Sequence, residues 1–155
     1  MSKVTFNINI TPFKETLNGV VSTVKDTVSE VIMEQLAYAQ ERSSEVIYDE
    51  HQPTWYFRTG NLGRSYNIFG EWSGSEYYAS LSNRADYFTY VEQGTGIYHV
   101  NGRRTVWAYQ TAEDDVWHWT KGMEARNSFG IAFDEMKDDI IPYMEYRLNE
   151  AMKGV

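Results

Sequence analysis

The 155-residue chain has no cysteine, which excludes disulfides and thiolate metal sites and leaves the redox compartment unmarked. Its three histidines, His51, His99 and His118, stand far apart, and none has the i, i+4 partner with an intervening Glu that marks a helical zinc site. No run of ~18 apolar residues occurs, so no membrane span is expected. Residues 1–10 alternate polar and apolar side chains, unlike the continuous apolar stretch of a signal peptide. Basic residues are scarce as well: 14 Lys and Arg against 22 Asp and Glu, a net charge of −8. Residues 1–50 carry four basic against eight acidic groups, 51–110 five against four, and 111–155 five against ten. Tight nonspecific nucleic-acid binding needs many Lys and Arg contacts to phosphate, so an acidic chain is expected to allow transient contact with passing DNA without trapping it. The composition reads as one soluble domain made in a cytoplasm, with a core large enough to need no staple.

Signals of catalysis are missing too. No Gly-x-Ser-x-Gly elbow is present, and Gly94-x-Gly96 with Gly102 matches neither a dinucleotide fingerprint nor a phosphate-binding loop. The Glu113-Asp114-Asp115 run falls at a hairpin tip, where a solvated turn is the expected role. Asp134, Glu135, Asp138 and Asp139 are expected on the outer face of a terminal helix. Glu92 precedes a Gly-Thr-Gly turn and is expected to accept amide hydrogen bonds from it. Gly102-Arg103-Arg104 is the most basic spot, expected to be balanced by nearby carboxylates. These observations predict no enzyme activity, no cofactor and no metal.

Aromatic residues, by contrast, are abundant: twelve Tyr, seven Phe and five Trp. Such richness serves either a core or an interface. Val4, Phe6, Ile8 and Ile10 have the period of a strand over 1–10. Thr11-Pro12 reads as the start of a helix over 11–50, with Leu17, Val21, Val24, Val28 and Val31 forming one stripe. That length, on the order of 50 Å, exceeds what a small core covers. Either the helix breaks near Gly19 or Ser43-Ser44, or part of it packs on another subunit.

After Pro53 and Trp55-Tyr56-Phe57, residues 55–120 read as sheet with loops. Tyr66–Trp72 and Tyr77–Ser82 are strands joined by Ser73-Gly74-Ser75-Glu76. Asp86–Gln93 is a short helix or turn, expected to deliver Tyr87, Tyr90 and Val91 inward. Thr105–Gln110 and Val116–Thr120 form a second hairpin, with Trp107 and Tyr109 sharing one face of their strand and Trp117 and Trp119 one face of theirs. His118 is expected to point away from its two Trp neighbours, toward solvent. Trp107 and Trp119 are expected to pack on the domain. A last helix over 127–153, capped by Asn127 or Ser128, buries Phe129, Phe133, Met136, Ile140, Met144 and Leu148, with a kink at Pro142. The fold class is α+β: an antiparallel sheet packed with a long N-terminal helix and a C-terminal helix.

Three glycine-punctuated segments follow in order: Arg58-Thr59-Gly60-Asn61-Leu62-Gly63-Arg64-Ser65, Tyr90-Val91-Glu92-Gln93-Gly94-Thr95-Gly96, and Gly122-Met123-Glu124-Ala125 with Phe129. In that order, with a long helix before and a helix after, the chain resembles a family of tailed-bacteriophage neck proteins, the tail-completion or head–tail joining proteins. The family's Thr-Gly-x-Leu-x-x-Ser pattern matches Thr59, Gly60, Leu62 and Ser65. Its Tyr-x-Glu-x-Gly-Thr pattern matches Tyr90, Glu92, Gly94 and Thr95, and its Gly-Met-x-Ala-x-Pro-Phe element matches Gly122, Met123, Ala125 and Phe129. The likeness is strongest from Arg58 to about Met152. Asn127-Ser128 departs from it, standing where one proline is expected.

The resemblance implies a non-enzymatic virion protein of the neck that completes the tail top and joins it to the DNA-filled head. Its implied partners are copies of itself in a homo-oligomeric ring, the neighbouring connector or head-completion proteins, and tail-terminator or tail-tube proteins. A tail terminator ring capping the tail tube is an alternative in the same class. A carbohydrate-binding module using Trp107, Tyr109, Trp117 and Trp119 is one from another class. On the ring reading, Arg58, Thr59, Asn61, Leu62, Arg64, Glu92, Thr95, Trp107 and Trp117 are candidate contact residues, and Gly60, Gly63, Gly94, Gly96 and Gly122 shape the turns. Reversing the charge of Arg58 and Arg64 together is then expected to leave the monomer folded and block assembly.

Overall fold

A computed structural model describes residues 11–51, 58–110 and 115–154. The strand expected over 1–10, the Trp55-Tyr56-Phe57 segment and Glu113-Asp114 lie outside them. Helix α1 (Thr11–Tyr48) is continuous over 38 residues. It breaks neither at Gly19 nor at Ser43-Ser44, because extending a formed helix adds a hydrogen bond per residue and one glycine costs only about 1 kcal/mol. Its stripe buries Val31, Leu36, Ala39, Val46 and Ile47, while Leu17 and Val21 stay 49% and 48% exposed.

Helix α4 (Ser128–Met152) lies antiparallel to α1. Ser43 meets Ser128, Arg42 Nε lies 3.0 Å from Glu135 Oε2, and Arg147 reaches Glu34 at 2.7 Å and Glu30 at 3.0 Å. Exposed pairs of this kind fix register more than they stabilise. Glu135 therefore turns toward α1 instead of joining Asp134, Asp138 and Asp139 on the outer face. The Tyr143 hydroxyl and the Arg147 guanidinium hold the Glu34 carboxyl below its usual range. The expected α4 stripe is half-buried, and the fully enclosed positions are the small Ser128 and Ala132. The helix runs through Pro142, which is exposed.

Between the helices, α2 (Asn61–Arg64) leads into the hairpin of β1 (Tyr66–Ser73) and β2 (Glu76–Asn83), paired Tyr66↔Asn83 to Ser73↔Glu76. Helix α3 (Phe88–Gln93) and a 3-10 turn, Gly96–Tyr98, precede β3 (Trp107–Gln110) and β4 (Trp117–Thr120). Among the described residues of 55–120 the strands form two separate two-stranded antiparallel sheets instead of one. The fold is α+β.

One core cluster joins Leu36, Ala39, Leu81 and Ala132 with Tyr66, Ile68, Phe129 and Phe133. A second joins Ile47, Leu62 and Ala85 with Tyr48, Tyr66, Phe88 and Val91. Helix α3 turns Phe88 and Val91 inward, whereas Tyr87 and Tyr90, expected there, are exposed. Tyr87, the N-cap residue of α3, and Tyr90 within it lie on the solvent side of this short helix.

Candidate functional site at the junction of three turns

The three glycine-punctuated segments meet in space, around the C-terminus of α1 and the N-terminus of α4. The four last carbonyls of a helix and its four first amides lack partners within the helix, and the flanking turns supply them. Arg58 donates from Nη1 to the carbonyl of Ile47 at 2.6 Å and to that of Tyr48 at 3.2 Å, and from Nη2 to that of His51. A guanidinium at this end of α1 also opposes the negative pole of its dipole. At the other helix, Glu92 accepts the Ser128 amide at 3.0 Å and the Phe129 amide at 3.1 Å. Asn127, at the N-cap position with φ 48°, makes no side-chain cap, so Glu92 performs that role from α3. The expectation that Glu92 serves its own Gly-Thr-Gly turn is corrected: its acceptors are used 36 residues downstream.

The second and third segments are laced directly. Thr95 donates its amide to Met123 O at 2.8 Å, and its Oγ1 accepts the Met123 amide at 2.9 Å. Arg126 and Asn127 donate their amides to Val91 O and Glu92 O in the last turn of α3, and Ile97 donates to Lys121 O at 2.9 Å. Gly96 and Gly122, at φ 62° and 121°, face each other so closely that a Cβ on either would overlap the opposite backbone. Gly60 and Gly94 also take positive φ, whereas Gly63 does not. Gly63 is small for another reason: the Tyr48 ring lies 3.2 Å from where its Cβ would be, and its amide donates to the Tyr48 hydroxyl at 2.9 Å.

A chain of hydroxyls runs into Glu92 from the core. Tyr66 Oη lies 2.7 Å from Ser43 Oγ, Ser43 Oγ lies 2.8 Å from Ser128 Oγ, and Ser128 donates to Glu92. A carboxylate only accepts, which orients every member: Tyr66 donates to Ser43, Ser43 to Ser128, Ser128 to Glu92. Burial holds the Tyr66 hydroxyl above the usual phenol range, in keeping with a donor. A serine next to a carboxylate invites a nucleophile reading, but Ser43 and Ser128 are fully enclosed and no substrate reaches them. The chain ties α1, β1, α3 and α4 together. Sequence reasoning missed Ser43 and Tyr66 as members. The available signal was a polar residue at position 43, inside the apolar stripe between Ala39 and Val46.

Several candidate contact residues are thereby used within the chain. Leu62, 3% exposed, is a core anchor; Arg58 and Glu92 are helix caps; Thr95 is a lace. Exposed members are Trp117, Thr59, Asn61 and Arg64, and Arg64 Nη2 donates back to Thr59 O at 2.9 Å. An open groove of about 310 Å³ lies over the junction, lined by Tyr48, Arg58, Leu62, Val91, Met123 and Arg126 among others. Among the described residues the partners of Arg103 and Arg104 are not carboxylates: the Thr105 hydroxyl accepts from Arg103, and the carbonyls of Ile97 and Val100 accept from Arg104.

The position of Arg58 revises the charge-reversal expectation. Arg58→Glu places a negative group against the carbonyl end of α1, and is expected to destabilise the monomer by about 2 kcal/mol. Arg64→Glu, on an exposed side chain, is expected to stay within about 0.5 kcal/mol. Urea melts of the two single variants separate the roles; equal losses would reject the cap.

The aromatic hairpin also departs from expectation. The register Ala108↔Trp119, Tyr109↔His118, Gln110↔Trp117 puts Trp107, Tyr109 and His118 on one face and Trp117 with Trp119 on the other. His118 does point away from the tryptophans, but it is half-buried against Tyr109, with ring centroids 5.6 Å apart. Trp117 and Trp119 are the solvent face, 63% and 74% exposed. The packing expected for Trp119 is therefore absent, while Trp107 is half-buried under Arg103.

Among the described residues no group of three His, Asp or Glu converges to hold a metal ion, and no helix is long and apolar enough to cross a membrane. No family model, curated protein or solved structure matches the chain.

Proposed function

We propose that this chain is a structural subunit of a tailed-phage neck, completing the tail top and joining the tail to the DNA-filled head as part of an oligomeric ring. It acts without chemistry of its own, in the virion, with copies of itself and with connector and tail proteins as partners. The observation that carries the reading is the kind of surface the chain leaves uncovered. Trp117 and Trp119 share an exposed face, and Leu17 and Val21 an exposed helix end. Large apolar and aromatic side chains of this kind are enriched where proteins meet. The motifs by which the sequence resembles that family build the scaffold that carries these surfaces. A tail terminator role calls for the same surfaces and differs in the neighbour bound.

The exposed Trp117–Trp119 pair also supports a second reading, a carbohydrate-binding face. It is a two-ring platform, since Trp107 and Tyr109 lie on the opposite side of the hairpin.

The test is complementation of phage lacking the gene. Parent protein is expected to restore joining of heads to tails. Trp117→Ala/Trp119→Ala is expected to fail at joining while its stability stays within about 0.5 kcal/mol per site. Joining at parental efficiency would remove the hairpin from the interface, and intact infectious particles without the gene would overturn the neck role. A glycan array decides the carbohydrate reading.

A further inference from the structure

The antiparallel pairing of α1 with α4 ends before α1 does. The contacts run Ser43 to Ser128, Arg42 to Glu135, Glu34 to Tyr143 and Glu30 to Arg147, so the last turn of α4 lies beside residues near Lys25. Lys25 itself donates to Gly74 O at 2.8 Å and lies over the Trp72 ring, so the β1–β2 hairpin tip ends at the same level. Residues 11–22 continue past both as about 18 Å of helix. The stripe that faces the core further along continues onto this arm: Lys14, Leu17 and Val21 lie within one face, spaced three and four apart. The arm cannot fold back on its own α4, because α1 is unbroken.

A complementary strip lies on the solvent side of α4. Asp138, Ile141 and Glu145 share one exposed face that flanks the core stripe, spaced three and four apart. Ile141 is 62% exposed, a large aliphatic side chain between two exposed carboxylates. Lys14 and Glu145 form no ion pair among the described residues. The arm offers an apolar pair with a cation; α4 offers an apolar centre with an acidic rim. The two strips also have the same length.

We propose that the occupant of this exposed α4 face is the α1 arm of a second copy of this chain, with Leu17 and Val21 on Ile141 and with Lys14 toward the Asp138/Glu145 rim. The contact joins two different patches of one subunit, so it is head-to-tail and propagates into a ring when the rotation closes. This deepens the ring proposed above and rests on that reading for the expectation that copies assemble. Three turns of helix make a small interface, so one contact alone is weak and the closed ring gains from many.

The test is sedimentation velocity on the purified full chain, at concentrations on the order of 100 µM and low salt. The parent is expected to associate reversibly, less so as salt rises. Leu17→Glu/Val21→Glu and, separately, Ile141→Lys are expected to weaken association at least about tenfold with unchanged melting temperatures, because all three sites are exposed. Mixing the two defective proteins is the decisive arm. Each retains one intact patch, so a 1:1 dimer that grows no further is expected. A parent that stays monomeric, a variant that associates like the parent, or a mixture that stays monomeric would each overturn the pairing. If the parent assembles through other surfaces, this pairing fails and the ring stands. If it never assembles yet heads still need it to join tails, the ring fails and the neck role stands.

Discussion

Gly96→Ala is expected to cost at least about 4 kcal/mol, enough to leave much of the chain unfolded. Two penalties add. At φ 62° any side chain is strained, by about 1–2 kcal/mol. The new methyl would also overlap the Lys121 carbonyl oxygen and come within 2.7 Å of Gly122 Cα. Neither segment can retreat, since Ile97 and Thr95 donate their amides across the same gap to Lys121 and Met123. Gly74→Ala isolates the first penalty: its φ is 64°, and nothing lies within 4 Å of where the Cβ would be. Urea denaturation of the two variants should show a loss several-fold larger at Gly96. Equal losses would mean that the lacing of the second and third segments does not resist displacement.

The next largest effect is expected at Glu92. Glu92→Ala removes the acceptors of two α4 amides and of the enclosed Ser128 hydroxyl. Hydrogen bonds to a charged group contribute about 1.5–3 kcal/mol, and an enclosed donor left unpaired adds to the loss. A total of about 3 kcal/mol is expected, lowering Tm by about 6–12 °C in a chain of this size. Glu92→Gln keeps one acceptor oxygen and should recover part of it. In a double-mutant cycle with Ser128→Ala, the two losses should fall short of additive by about 1 kcal/mol or more. Additive losses would show that Glu92 and Ser128 act separately.

Periodicity carried the helices because a 3.6-residue stripe is a local property of the chain. The helices expected over 11–50 and 127–153 end within two residues of α1 (Thr11–Tyr48) and α4 (Ser128–Met152). The β1–β2 turn was equally legible, since Gly74 sits where a positive φ is needed. What alternation could not supply is the choice of face. In β4 it put Trp117 and Trp119 together and His118 opposite, but which side meets the domain depends on neighbours distant in sequence. The same limit applies to Glu92. Its spacing from Gly94 suggested a local turn, whereas its acceptors serve α4, whose start is set by the lacing of 122–127 onto 91–97. Leu62, one apolar residue between two glycines, looked like a surface knob. It is buried because α2 turns it under Tyr48 and Ala85.

The oriented run of hydroxyls from Tyr66 to Glu92 has a consequence for how this sequence can drift. Each member satisfies the next, so removing one strands a neighbour in a place that water does not reach, and the loss exceeds that of a single bond. A change at Ser43 alone leaves Tyr66 without its acceptor and Ser128 without its donor. A coordinated exchange of several members for apolar groups of similar volume removes the polar atoms together and leaves nothing stranded. Positions 43, 66, 92 and 128 therefore behave as one heritable unit. Their nearest viable alternatives lie several substitutions away, while the exposed residues around them change singly.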